Sequence, residues 1–169
     1  MIPVVLLRQL TEQEYHFFYR GYVNDRMISS EAYRYSAEQV SRQYRYDQMR
    51  SGSTCILGIV CNGIPVGMLS VDDIDLKNNT CRLGIVLQNE SIRNKGIGTE
   101  AFGLGIKYAF THYGIELISA DTRSDNNVMR RILEKYGFVL RESVDGAWEN
   151  GIARLVYVLH RSDYVNAGT

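Results

Sequence analysis

Two apolar runs, Thr54 to Cys61 and Ile64 to Leu76, flank the dipeptide Asn62-Gly63. Both residues of a two-residue hairpin turn need positive φ, and Asn followed by Gly meets that need best. The dipeptide therefore commits the middle of the chain to an antiparallel hairpin. A second tight connection, Lys77-Asn78-Asn79, leads into a third run, Thr80 to Leu87. Three strands joined in this way form an antiparallel meander.

The remaining elements fall around it. Met1 to Arg8 reads as a first strand, with neither the basic leader nor the small-residue cleavage site of a signal peptide. Thr11-Glu12-Gln13-Glu14 opens a helix to about Arg26, with Leu10, Glu14, Phe17, Phe18 and Gly21 at helical spacing. A second helix begins at Ser36, with Gln39 as its capping-box partner, and runs to about Met49. Gly96 to about His112 is a third helix; Gly103 and Gly105 inside it each cost about 1 kcal/mol against Ala, which implies close packing. A strand at Ile115 to Asp121, a helix at Val128 to Tyr136 ended by Gly137, and a hairpin of Phe138 to Val144 with Ile152 to Leu159 complete the chain. Trp148 lies in the loop of that hairpin. No repeat, linker or low-complexity tract interrupts residues 1–169, so the expectation is a single mixed α/β domain.

Composition narrows the function. A chain of 169 residues buries roughly two thirds of its unfolded surface and needs no staple. Nineteen basic residues balance nineteen acidic ones, which argues against general nucleic-acid binding. No apolar run approaches the length of a membrane span. Cys55, Cys61 and Cys81 are odd in number and fit no CxxC spacing; they read as free thiols in a reducing cytoplasm. His16, His112 and His160 form no metal-binding pattern, so no metal is expected. Seven of the twelve tyrosines fall between Tyr15 and Tyr46, as core cover with wet hydroxyls or as an aromatic wall for a substrate.

The chemistry concentrates between Ile85 and Ala101. A strand ends, a polar loop follows, and Gly96-Ile97-Gly98 opens a helix. The first N–H groups of a helix have no partner inside it and share the positive end of its dipole, so they bind phosphate. Glycine at 96 and 98 lets the oxygens approach the backbone, and Arg93 and Lys95 add cations. Gly96-x-Gly98-x-x-Ala101, with Asp121 about 20 residues on, also matches a dinucleotide fingerprint. Position decides against it: that turn normally follows the first strand of a parallel sheet, whereas here it follows a meander.

With Arg93-x-x-Gly96-x-Gly98, then Thr99-Glu100-Ala101, Asn126, and Leu133-Glu134-Lys135-Tyr136-Gly137-Phe138, the sequence resembles the GNAT superfamily of N-acetyltransferases. It looks most like the branch that acetylates ribosomal-protein amino termini and spermidine. The resemblance implies a central, mostly antiparallel sheet with one splayed parallel pair and helices on both faces. It implies that Arg93, Asn94, Lys95, Gly96, Ile97, Gly98 and Thr99 hold the pyrophosphate of acetyl-CoA. Val86, Leu87 and Gln88 would pair with the pantetheine arm, and Asn126 would contact the cofactor, although it could equally cap the next helix. The implied partner is an amine acceptor, a small molecule or a peptide amino terminus. Oligomeric state is left open, a homodimer included.

The resemblance is incomplete where protons move. Relatives carry an acidic tyrosine, a serine and a glutamate at positions that are Leu133, Met129 and Arg82 here. The remaining catalytic candidates are Tyr136, in the same helix as Leu133, and Asp73, one of three aspartates with Asp72 and Asp75. Tyr136 could as well be packing, and Arg82 could bind an acidic group on the acceptor. The expected activity is acetyl transfer by direct attack of the amine on the thioester. The alternative is a protein of this fold that binds acetyl-CoA and has lost the chemistry.

Overall fold

The structure is a computed structural model that describes residues 3–27 and 29–164. Its core is one seven-stranded sheet in the order β1-β2-β3-β4-β5-β7-β6. The strands are β1 (Val5–Arg8), β2 (Cys55–Cys61), β3 (Ile64–Asp75), β4 (Thr80–Leu87), β5 (Leu117–Arg123), β6 (Val139–Val144) and β7 (Arg154–His160); the helices are α1 (Glu12–Arg20), α2 (Ala37–Met49), α3 (Ile97–His112) and α4 (Asn127–Lys135). Residues 1 and 2 of the expected first strand lie outside the described residues.

The meander forms as the turn chemistry requires. Cys61 pairs with Ile64 across Asn62 (φ 50°) and Gly63 (φ 83°). The next turn is capped by Asp75, whose carboxylate accepts from the backbone of Lys77 and Asn78, and Asn79 takes φ 55°. Each helix begins at a matching cap. Thr11 and Glu14 form a full capping box, and Arg8 binds the same Glu14 carboxylate at 2.6 Å. At Ser36 only half of that arrangement forms, its hydroxyl accepting from the Gln39 N–H. Helix α1 stops at Gly21 and not near Arg26, because the Gly21 N–H turns back to the Phe18 and Tyr19 carbonyls.

The two faces of the sheet carry different cores. On one, α3 packs Ala101, Phe102, Ile106 and Ala109 against Leu69, Val71, Leu83 and Ile118. Gly105 allows this approach: a Cβ there would lie 2.5 Å from Leu69. On the other face, α1 and α2 pack Tyr15, Phe18 and Val40 over Val60 and Met68. Tyr15, Tyr19 and Tyr22 join this second core edge-to-face or tilted, while Tyr33 packs on Tyr19 and Tyr22 and lines, with Tyr19 and Tyr46, a cavity of about 520 Å³, so the tyrosine-rich segment is part core and part cavity wall.

One pair of neighbouring strands is parallel, and its pairing is short. Strand β4 meets β5 only at Thr80–Leu117, Cys81–Ile118 and Arg82–Ser119. Beyond Arg82, β4 continues beside β3 to Leu87, and beyond Ser119, β5 continues beside β7 to Arg123. The two strands part, leaving a wedge open in the middle of the sheet.

Candidate active site

The wedge has two edges and an anchor. On the β4 edge, strand alternation can be read from two bonds: the Gln88 N–H donates to Val66 on the β3 side, while the Cys81 carbonyl accepts from Ser119 on the β5 side. The peptide groups of Leu83, Ile85 and Leu87 therefore face the wedge. Of the three expected pantetheine contacts, Leu87 has this orientation. The Val86 side chain packs against the α1–α2 core. Gln88 is engaged elsewhere: its N–H binds Val66, its carbonyl accepts from Val23, and its side-chain amide donates to the Phe18 carbonyl at 2.9 Å.

The anchor is the start of α3, directly after β4. Asn94 (φ 60°) and Gly96 (φ 80°) turn the chain so that α3 begins with no side-chain cap on its first N–H groups. The Ile97, Gly98 and Thr99 amides are left for a ligand. A side chain at Gly96 would meet nothing within 4 Å, and at Gly98 only Leu87, so the space over this turn is open. Lys95 is exposed beside it. Arg93 is not free: its guanidinium lies 3.4 Å from Asp25 and donates to the Val23 carbonyl, tying the turn to the loop after α1. Asn126 caps α4 beyond the end of β5, its side-chain oxygen accepting from the Met129 N–H at 3.1 Å.

Both catalytic candidates are engaged by protein partners. The Tyr136 hydroxyl donates to the Thr99 carbonyl at 2.8 Å, and burial raises its pKa. Asp73 sits at a bulge with φ 50°, its side chain 77% exposed and bound to Arg82 at 3.1 Å. Leu133 is fully buried in the core. Arg82 faces three carboxylates, Asp72 at 3.8 Å, Asp73 at 3.1 Å and Asp121 at 3.6 Å, and Asp121 also meets Arg154 at 4.0 Å. An acidic acceptor would have to displace these partners. Asp72, grouped by sequence with Asp73 and Asp75, shares this face with Ser70, which the sequence did not single out; the signal was a serine two residues before an aspartate, where strand alternation puts both on one face.

Cys81 is the cysteine at the mouth of the wedge. It is 3% exposed, and burial, with Asp72 nearby, pushes its thiol up to about 12. A thiol so disfavoured as thiolate is no nucleophile. Among the described residues no cluster of His, Cys, Asp and Glu is placed to hold a metal ion, and no helix is long and apolar enough to cross a membrane.

This geometry meets known proteins at one point. The model of the family described as acetyltransferase (GNAT) domain matches residues 5–139, four fifths of the chain. The chain belongs to the GNAT acetyltransferase family. No curated protein matches it in sequence. Among solved structures, the GNAT chain is similar to spermidine N-acetyltransferase from Vibrio cholerae in complex with CoA and spermine, with TM-score 0.83, 16% identity, and 96% of this chain and 98% of that one covered. It is similar to Mycobacterium smegmatis RimJ in complex with CoA-disulfide, with TM-score 0.80, 20% identity and coverage of 95% and 84%. RimL, a ribosomal L7/L12 α-N-protein acetyltransferase in complex with CoA, follows at TM-score 0.76, 19% identity and coverage of 94% and 97%. At these identities the likeness is one of fold. It agrees with the GNAT architecture expected from the sequence, including the parted parallel pair.

Proposed function

We propose that this GNAT protein transfers the acetyl group of acetyl-CoA to a primary amine, such as a peptide amino terminus, an amino sugar or a small amine. The observation that carries the reading is the wedge: pairing of β4 with β5 ends at Arg82–Ser119, and the loop that leaves β4 leads to the uncapped start of α3. The residues fit the cofactor. The Ile97, Gly98 and Thr99 amides would hold its diphosphate, with Gly96 shaping the turn and Lys95 adding charge. The Leu83, Ile85 and Leu87 peptides would pair with its amide arm, as a strand pairs with an open sheet edge. When bound, acetyl-CoA supplies a thioester, an activated acyl group whose thiol leaves readily.

The chain's own contribution is positioning. Holding an amine against a fixed acyl carbon supplies much of the rate of such a transfer. An N–H of the β4 edge polarises the carbonyl oxygen as charge grows on it. The buried Cys81 thiol favours direct attack over a covalent acetyl-enzyme. The unpaired cysteines favour a reducing compartment.

Leu133 and Met129, apolar where relatives hold hydroxyls, favour a second reading, a protein that binds acetyl-CoA without turning it over. Calorimetry with acetyl-CoA and thiol release across peptides, amino sugars and spermidine separate the two. Binding with turnover of any amine supports the enzyme, binding with none supports the second reading, and absence of binding overturns both.

A further inference from the structure

The face of the sheet opposite α3 holds a polar pair at the point where β4 and β5 part. Ser70 and Asp72 lie two residues apart on β3 and so share a face. The Ser70 hydroxyl donates to Asp72 Oδ2 at 2.6 Å. Ser70 pairs with Gly84, which lies two residues past the last β4–β5 pair, on the parted stretch of β4. A Cβ on Gly84 would sit 2.8 Å from Ser70 Oγ and 3.9 Å from Asp72 Oδ2, so the glycine keeps this spot open. The helices of this face cover other ground: α1 and α2 pack over Val60, Met68 and Val86. Asp72 is only 18% exposed, whereas Asp73 beside it is 77% exposed. Ser70 Oγ thus has its proton directed at a carboxylate and lies beside the space above Gly84.

We propose that Ser70 and Asp72 form the proton-accepting pair for the acceptor amine, which enters over Gly84 from the face opposite α3. This assignment rests on the acetyltransferase reading above. The arriving ammonium gives one proton to Ser70 Oγ as the Ser70 hydroxyl proton passes to the Asp72 carboxylate. The neutral amine then attacks; its N–C bond forms while the C–S bond breaks, the electron pair leaving with sulfur. The second amine proton neutralises the departing thiolate, and Asp72 returns its proton to water. The groups around Asp72 are Arg82 on β4, Asp73 on β3, Asp121 across the wedge and the buried Cys81 thiol. Arg82 orients the carboxylates and is a positioning residue. With three carboxylates against Arg82 and Arg154, the floor of the entrance carries an excess negative charge, which suits a cationic amine and opposes an acidic one.

The test compares Asp72→Asn and Ser70→Ala with the native protein, using the best acceptor from a panel of free-amino-terminus peptides, amino sugars and spermidine. Acetyl-CoA affinity by calorimetry is expected to stay unchanged in both variants, with Tm lowered by only about 2–4 °C as a part-buried hydrogen bond is lost. At about pH 7.5, kcat/KM is expected to fall roughly 10²-fold in Asp72→Asn and roughly tenfold in Ser70→Ala, mostly in kcat. Both deficits shrink as pH rises toward the pKa of the amine, because solvent then removes the proton instead. Native-like kcat/KM in Asp72→Asn, or a loss that is the same at every pH, overturns the assignment. Failure of the native protein to bind acetyl-CoA would instead overturn the acetyltransferase reading itself.

Discussion

The Tyr136 hydroxyl donates to the Thr99 carbonyl at 2.8 Å, so the end of α4 is fastened to the first turn of α3, where the helix's first amides have no side-chain cap. Gly103 is the reason the ring fits, since a Cβ there would collide with Tyr136. The bond uses the hydroxyl's proton and buries the ring, which describes a brace. Tyr136→Phe is therefore expected to lower stability by about 1 kcal/mol in denaturant melts and to leave kcat nearly intact. Loss of a true general acid would cost roughly 10² in rate.

The open space over Gly98 has a direct consequence for binding. Its Cβ position lies 3.4 Å from Leu87, an ordinary contact, so a larger residue is accommodated by the fold but occupies the phosphate's approach. Gly98→Leu is expected to weaken acetyl-CoA at least about tenfold by calorimetry, which is 1.4 kcal/mol, with Tm little changed. Undiminished affinity would contradict the cradle.

Acid should loosen the start of α1. Hydrogen bonds from Arg8, with the Thr11 backbone and side chain, hold the Glu14 carboxyl at about 2, against a usual 4.5. A lowered folded-state pKa contributes stability that is full above 4.5 and fades as pH falls toward 2. Glu14→Gln, which mimics the protonated form, is expected to cost about 1 kcal/mol near neutral pH. In thermal melts that gap should close on acidification toward about pH 2.

A carboxylate is buried beneath the aromatic cluster. Asp47, 7% exposed, accepts from the Tyr15 hydroxyl at 3.1 Å and from Gln43 at 2.7 Å. Burial and the nearby Asp47 charge raise the Tyr15 pKa, so the phenol stays a donor throughout the accessible range. Tyr15→Phe removes one of the bonds and leaves the charge less satisfied, at an expected cost of about 1–3 kcal/mol in denaturant melts.

Much of this architecture was legible in local chemistry. Asn62-Gly63 announced the hairpin, Thr11 and Ser36 announced helix starts, and Gly103 and Gly105 announced the close approaches to Tyr136 and Leu69. Each is a short-range constraint, visible without knowing what lies across the fold. The glycine turn before α3 was legible for the same reason, since Gly96 and the uncapped helix start are neighbours in sequence. What depended on distant partners was hidden. Nothing near Gln88 shows that its amide will meet the end of α1, 70 residues earlier. Arg93 reads as a free cation until Asp25 and Val23 arrive beside it. Ser70 gains meaning only once Gly84 is set opposite it, and Asp72 only once Arg82 is.

Gln88 has a consequence for how the two substrates address the protein. It directly follows β4, one border of the wedge, while its amide and carbonyl hold the end of α1 and the chain that follows. On the proposed acetyltransferase reading, a ligand that orders β4 would also order the end of α1, and each substrate would then ready the binding surface of its companion. Affinities measured one at a time should then understate the affinity of the pair, and by thermodynamic reciprocity the gain is equal in both directions.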